Sequence, residues 1–270
     1  RMPDCVPGAV EFVHIHKLAY QVCRAAGDNP WVNMSAVTEA SKAAFKQVVR
    51  AGTPLGDDGI DRSYLEAEVR AVIKGRGIRS LEEYLKVLRT GRGTRFDPSR
   101  RRQAWDYMKE WDAGMAQRDT LDFADTITRA VEHAQGFTGP WYRAAVIDEA
   151  QDLTLMGLQL VRALVNGKRD DDRDDGLLIV GDGAQRIYPG AFTLRQAGVE
   201  VRGRTTVLRL NYRNTAEILA AATTVLGNGP VVDMDDEDSD APNRFEEERA
   251  EASRSGLRPL LVDCGDDERE

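Results

Sequence analysis

Residues 144–152 have the sequence Ala-Ala-Val-Ile-Asp-Glu-Ala-Gln-Asp. The small and apolar residues 144–147 predict a short buried strand, and the carboxylates of Asp148 and Glu149 follow at its end. In open parallel sheets, ligands bind beyond the carboxyl ends of the strands. One carboxylate there can hold Mg²⁺, which prefers oxygen ligands, and the next can activate an attacking water. The pair therefore suits a magnesium–nucleotide site; the alternative is a strand followed by an acidic helix start.

Length and composition allow a sizeable core. The chain has 270 residues, of which 41% are hydrophobic, enough for about one to three domains. It contains no apolar run of about 18 residues, so no membrane span is expected. The three cysteines are scattered and odd in number, which favours a reducing cytoplasm, and with the three histidines they match no zinc-binding spacing.

The net charge of −8 is unevenly distributed along the chain. Residues 170–175 carry five acids and one base, and residues 233–270 carry fifteen acids and five bases. These runs predict solvated loops, and the remainder of the chain is net basic and can face phosphate.

Residues 28–118 predict helices separated by glycine and proline, with capping-box patterns beginning at Ser63 and Ser80. A basic run faces few acids in the sequence; it comprises Lys74, Arg76, Arg79, Lys86, Arg89, Arg92, Arg95, Arg100, Arg101 and Arg102. Two of its turns are rich in arginine and can follow a phosphate backbone through Arg76, Arg79, Arg92 and Arg95. The alternative is ordinary solvated helix faces. Trp105 and Trp111 are expected in the core rather than in a base-stacking platform.

Two further strand ends carry polar side chains. A strand over 177–180 is followed by Gly-Asp-Gly-Ala-Gln-Arg-Ile-Tyr at 181–188, where Gln185 can reach a terminal phosphate or its attacking water. A predicted strand over 205–210 precedes Asn-Tyr-Arg-Asn-Thr at 211–215. The fixed fork of the Arg213 guanidinium matches phosphate oxygens; the alternative is a loop arginine paired with a nearby acid.

Taken together, these segments resemble superfamily I helicases of the UvrD/Rep/PcrA type. Val-Ile-Asp-Glu-Ala-Gln-Asp at 146–152 is similar to their Walker B motif, motif II, and residues 181–188 and 211–215 are similar to motifs III and IV. An apolar stretch, His16 and an amphipathic helix at 10–26 resemble motif Ib, which lies beside the DNA strand. Leu-Asp-Phe-Ala-Asp at 121–125 resembles the segment that re-enters the motor core before motif II.

The resemblance implies an α/β fold: a RecA-like P-loop NTPase motor core, with a parallel sheet flanked by helices, and an all-helical 1B-type insert. It assigns 1–28 to motor domain 1A, 29–117 to the 1B-type subdomain and 118–203 to the rest of 1A. It assigns 204–270 to the start of motor domain 2A, with an acidic flexible loop at 228–258.

The resemblance also implies the roles of the nucleotide site, with ATP and Mg²⁺ as cofactors. Asp148 is expected to bind Mg²⁺, Glu149 to activate water, Gln185 to sense the γ-phosphate and Arg213 to stabilise developing charge. The expected nucleotide contacts are Gln151, Asp182, Gln185 and Arg213.

For nucleic acid, the resemblance implies contacts from His16 and Tyr188. Two departures bear on these contacts. His14 stands where the family usually has threonine, and the tryptophan that usually follows the motif III tyrosine is missing. Phe192 is a candidate replacement for that tryptophan from a shifted position.

The chain contains no Gly-x-x-x-x-Gly-Lys-Ser/Thr, the loop that cradles phosphates. We therefore expect a fragment of a DNA helicase whose full-length form couples ATP hydrolysis to 3′–5′ movement on single-stranded DNA and to duplex unwinding. The expected partners are single-stranded and duplex DNA and the remaining motor segments, and the isolated chain is expected to be inactive. The alternative is a non-catalytic nucleic-acid-binding or regulatory protein derived from a helicase motor half.

Overall fold

The structure is a computed structural model. It describes residues 10–87, 96–166, 176–182, 185, 192–201, 203–206, 208, 210–226, 251–260 and 262. The chain forms two compact units, residues 1–200 and 201–270. No helix in the described part is long and apolar enough to cross a membrane.

The first unit begins with helices. They are α1 (Ile15–Ala25), α2 (Met34–Val48), α3 (Pro54–Asp57), α4 (Arg62–Ala67), a π-helical turn (Glu68–Lys74), α5 (Leu81–Lys86), α6 (Pro98–Ala116) and α7 (Phe123–Gln135). Ser80 caps α5 by accepting a hydrogen bond from the Glu83 N–H, as the sequence predicts. The expected cap at Ser63 is wrong, because Asp61 accepts from the Tyr64 N–H and begins α4 two residues earlier.

Helices α2 to α6 share one hydrophobic core around Trp111, which is fully buried. The indole N–H of Trp111 donates to the Val37 carbonyl at 3.0 Å, and Trp105 stacks on Tyr84 with ring centroids 6.2 Å apart. Both tryptophans therefore contribute to packing, as expected, since Trp105 also packs against this core.

A second core joins α1, α7 and α8 (Leu155–Asn166). Beside it lie β1 (Ala145–Ile147) and β2 (Leu177–Ile179), which pair in parallel with Ala145 opposite Leu177. The predicted buried strand is shorter and less buried than expected: Ile147 is buried, but Val146 is 71% exposed. The architecture is thus a helix-rich mixed α/β unit with a small parallel sheet.

The second unit contains β3 (Leu210–Asn211), α9 (Ala216–Leu226) and β4 (Glu251–Ala252). Strands β3 and β4 pair in parallel, so part of the predicted acidic loop at 228–258 is a strand. Residues 228–250 of that loop lie outside the described residues. The predicted strand over 205–210 is assigned only at its end, in β3.

Candidate functional site

The acidic pair lies at the carboxyl end of β1, as predicted. Both side chains are exposed, and the Asp148 carboxylate accepts a hydrogen bond from the Glu149 N–H at 3.0 Å. Glu149 has a left-handed backbone, with φ 50° and ψ 45°. This conformation is unfavourable for a residue with a side chain, and such strain concentrates at functional sites.

Gln151 connects this pair to the end of the neighbouring strand. Its side chain is buried, donates to Glu149 Oε2 at 2.5 Å and accepts from the Asp182 N–H at 3.0 Å. A Cβ on Gly181 would lie 2.8 Å from Gln151 Oε1, so a larger residue there would have to displace the Gln151 amide. The strand ends are also aligned by the Ala150 N–H, which donates to the Val180 carbonyl at 3.0 Å.

The loop after β2 brings Gln185 to the same edge. Its side-chain amide donates to Asp182 Oδ2 at 2.7 Å, and the residue is exposed. Tyr188 lies outside the described residues. Phe192, the candidate replacement for the missing tryptophan, is buried, with 2% of the residue exposed.

Arg213 lies in the second unit, in the turn between β3 and α9. The Asn211 carboxamide accepts from the Arg213 N–H at 2.9 Å and from the Asn214 N–H at 2.8 Å. The side chain of Arg213 is exposed. The turn itself is therefore fixed by Asn211, which leaves the guanidinium at the surface.

His16 lies in the first turn of α1 and contacts an aromatic residue at the start of α7. The ring centroids of His16 and Phe123 are 4.9 Å apart, and Phe123 is 43% exposed. Partial burial, followed by the nearby His14, lowers the pKa of His16, so its ring is neutral at physiological pH. His14 caps α1 by accepting from the Lys17 N–H at 3.4 Å, which gives this departure from the family pattern a structural role.

The basic run is only partly available to phosphate. Arg76 donates to Gln196 Oε1 at 3.3 Å, and Arg79 is 71% exposed and pairs with Glu132 at 2.8 Å. Arg92 and Arg95 lie outside the described residues. The expectation that the run faces few acids is wrong for Arg100, which pairs with Asp58 and Asp97.

Lys74 departs most clearly from the expectation that the basic run faces few acids. It is 8% exposed, and its ammonium lies 2.7 Å from Asp112, 3.3 Å from Asp122 and 2.8 Å from Asp125. Burial alone would lower the pKa of Lys74, but the three carboxylates outweigh burial and raise it. Lys74 is therefore a structural cation that ties the π-helical turn to α6 and α7.

Comparison with known proteins shows the family to which the sequence belongs. The model of the UvrD/REP helicase N-terminal domain matches residues 12–199, most of the chain. The chain belongs to the UvrD/REP helicase family. The predicted resemblance to this family is thereby confirmed, and the match covers the segments similar to motifs Ib, II and III.

Curated relatives of this UvrD-family chain include the ATP-dependent DNA helicase UvrD1 of Mycobacterium bovis and that of Mycobacterium tuberculosis. Each is 35% identical over 130 residues, which cover 43% of this chain and 17% of the relative. The chain thus matches about a sixth of the length of these helicases.

Sequence reasoning missed Phe123 in the UvrD-family chain. Phe123 shares a helical stripe with Ile127, Ala130 and Ala134, all of which are buried, so its spacing predicts a core residue. As the first residue of α7, however, it lies at the edge of that core beside His16. In the sequence, the signal for this edge position was that Phe123 directly follows the capping Asp122.

Proposed function

We propose that this chain forms part of the motor of an ATP-dependent DNA helicase, with a nucleotide site at the ends of β1 and β2. The observation that carries the proposal is the Gln151 bridge, which fixes the exposed Glu149 carboxylate against the Asp182 backbone. Parallel strand ends are where such folds bind ligands, and family membership supports a core of RecA type.

Within this site, Asp148 would hold Mg²⁺. Its carboxylate is exposed and offers the oxygen donor that Mg²⁺ prefers, so the residue fits the ion. When bound, Mg²⁺ neutralises charge on the nucleotide phosphates. Asp182 would complete the nucleotide contacts, Gln151 would act on the nucleotide through the Glu149 carboxylate that it holds, and Gln185 would sense the γ-phosphate.

Glu149 acts as the base for the attacking water. The Gln151 amide and the left-handed backbone both restrict the Glu149 carboxylate, so it needs little further ordering when substrate binds. A positioned base contributes about 10²- to 10⁴-fold to the rate. Arg213 would stabilise the charge that develops on the phosphate.

The nucleic-acid surface would be formed by His16 and Phe123 together with arginines of the basic run. A neutral imidazole packed beside a half-exposed phenyl ring offers a stacking surface for an unpaired base. Arg76 and Arg79 would contact phosphates. Arg79 would exchange its exposed ion pair with Glu132 for a contact with a phosphate. Arg92, Arg95 and Tyr188 lie outside the described residues and are proposed nucleic-acid contacts.

Family membership supports the wider assignment. We propose 1–28 and 118–203 as parts of motor domain 1A, 29–117 as a 1B-type subdomain and 204–270 as the start of domain 2A. In a longer protein, these segments would work with the remaining motor segments to move 3′–5′ on single-stranded DNA and unwind duplex, in the cytoplasm. Duplexes with a single 3′ or 5′ tail test the direction: only the 3′-tailed substrate should be unwound.

A second candidate is a nucleic-acid-binding protein without catalysis, which the missing Gly-Lys-Ser/Thr loop favours for the 270 residues alone. Both candidates predict no Mg²⁺-dependent ATPase activity and weak nucleotide binding for the isolated chain. Phosphate release by the purified chain, stimulated by single-stranded DNA, would contradict both. Turnover by the full-length protein separates them, since only the helicase motor hydrolyses ATP.

The DNA surface can be tested with the chain itself. Affinity for single-stranded DNA should fall linearly with salt on logarithmic axes. Replacing Arg76, Arg79, Arg92 and Arg95 with alanine should flatten the slope. Replacing Lys109, which lies outside the run and is exposed and paired with Asp106, is the control and should flatten the slope less per charge removed. An unchanged slope in the arginine variant would assign the run to solvated helix faces.

A further inference from the structure

Three potential metal ligands meet where α1 and α7 end. Cys23 lies in the last turn of α1, Asp28 follows that helix, and His133 lies in the last turn of α7. One candidate ligand atom from each of the three lies within 4.8 Å of the other two. No sequence spacing predicts this group, because one ligand is separated from the others by about a hundred residues and reaches them only through helix packing.

The fold places each of the three donors. Cys23 is fully buried in the core between α1 and α7, with its sulfur 3.8 Å from the Thr126 carbonyl. Gly27 has a positive φ of 82°, which turns the chain so that the Asp28 N–H donates to the Cys23 carbonyl at 3.0 Å. Asp28 Oδ2 then lies 3.0 Å from His133 Nε2.

We propose that Cys23, Asp28 and His133 bind one divalent ion of the zinc class. Thiolate, imidazole and carboxylate are the three donor types that zinc takes from proteins. Typical zinc–ligand lengths require donor atoms about 3.3–3.6 Å apart in a tetrahedral site, so small side-chain rotations would close the cluster. Three protein ligands leave the fourth position for water.

The charges around the cluster are compatible with one dication. A thiolate and a carboxylate together neutralise it, and binding releases the thiol proton to solvent. Burial, followed by Asp28, raises the pKa of the Cys23 thiol to about 11, so the metal-free thiol is neutral and unreactive. Arg129 is the competing cation, 3.5 Å from Asp28 Oδ1, and with a 45% exposed side chain it can turn away.

The ion would join two helices that also meet at their other ends. His16 and Phe123 lie in the first turns of α1 and α7, and the proposed ligands lie near their last turns. A metal there would fix the register of the two helices. The site contains none of the residues assigned to nucleotide or DNA, so its test is independent of the proposed helicase function.

The test is a Co²⁺ titration of the reduced, metal-free 270-residue chain. The background carries Cys5→Ser and Cys264→Ser, which leaves Cys23 as the only cysteine. We expect one equivalent to bind, with a thiolate-to-cobalt charge-transfer band and the strong visible bands of a tetrahedral ion. Zn²⁺ should displace Co²⁺, abolish these bands and protect Cys23 from alkylation.

The variants distinguish ligands from neighbours. Cys23→Ser should lose the charge-transfer band. Asp28→Asn and His133→Asn should weaken binding at least about tenfold, since even supporting partners of metal ligands are worth about 10- to 100-fold. Arg129→Gln should tighten binding by removing the competing cation. Asp106→Asn, an exposed aspartate on α6, is the matched control and should titrate like the background.

Several results would overturn the proposal. These are binding without a charge-transfer band, absence of saturable binding at one equivalent, and unchanged affinity in His133→Asn. Circular dichroism will show whether Cys23→Ser folds. If it does not fold, the His133 and Asp28 variants decide the test, because these two residues are partly exposed and lie outside the fully buried core. Unchanged affinity in either of those variants rejects the site.

Discussion

Replacing Lys74 with methionine tests the buried charge cluster. Methionine keeps most of the aliphatic stem, so the packing near Trp111 is retained while the charge is lost. Three carboxylates then lose their cation, and Asp122, which is 1% exposed, cannot reach solvent. We expect a large loss of stability without loss of the fold.

The size of the loss follows from the exposure of each partner. Removing one partner of a buried ion pair costs about 3–5 kcal/mol. Asp112 is 43% exposed and partly screened by solvent, and Asp122 still caps α7 by accepting from the Asp125 N–H. Both facts favour the lower end of this range of energies. We expect about 3 kcal/mol at pH 7.5, a fall of about 6–12 °C in Tm for a unit of this size.

The assay is urea and thermal unfolding followed by circular dichroism, with Lys86→Met as the matched control. Lys86 and Glu82 are 74% and 79% exposed, so that pair contributes about 0.3–0.5 kcal/mol. The Lys74→Met penalty should also shrink at pH 5, because burial raises the pKa of Asp125 to about 6 and protonation then removes one charge. A Lys74→Met penalty below about 1 kcal/mol at pH 7.5, or equal to that of Lys86→Met, would refute the reasoning.

Three further outcomes are expected. Because the pKa of Asp125 is raised in the folded state, its contribution to stability is full below about pH 4 and is lost as the pH rises through about 6. Asp125→Asn should remove this loss in urea midpoints measured from pH 4 to 7.5. An unchanged pH profile in this variant would contradict the assignment to Asp125. Glu149→Gly should be about 1 kcal/mol more stable than Glu149→Ala, because glycine tolerates the left-handed backbone; equal urea midpoints would show that no strain is stored there. Gly181→Ala should shift the Asp182 loop and, in the full-length protein, slow ATP turnover about tenfold or more, since a Cβ would meet Gln151 Oε1 at 2.8 Å; normal turnover would show that the loop contact is not needed.

The sequence predicted the elements whose signals are local. Helix α1, the cap at Ser80 and the strand end carrying Asp148 and Glu149 follow from short patterns of apolar, capping and acidic residues. The motifs then predicted the family, and the match over 12–199 confirms it.

Features that depend on tertiary packing were not predictable in the same way. Lys74 resembles its neighbours in the basic run, yet packing of the π-helical turn against α6 and α7 surrounds it with acids. Phe192 has the right residue type for stacking but is buried. The approach of Cys23 to His133 depends on how α1 packs on α7, which neither helix specifies alone.

The most direct test of the central claim is Glu149→Gln in the full-length protein. Glutamine keeps the shape of glutamate and its contact with Gln151, but it cannot accept the proton of the attacking water. Steady-state ATPase assays and nucleotide titrations, with and without Mg²⁺, should include Asp148→Asn for comparison. We predict that Glu149→Gln lowers turnover by about 10²- to 10⁴-fold while ATP and DNA still bind, whereas Asp148→Asn also weakens Mg²⁺-dependent nucleotide binding. Near-normal turnover in Glu149→Gln would show that the end of β1 is not the catalytic site.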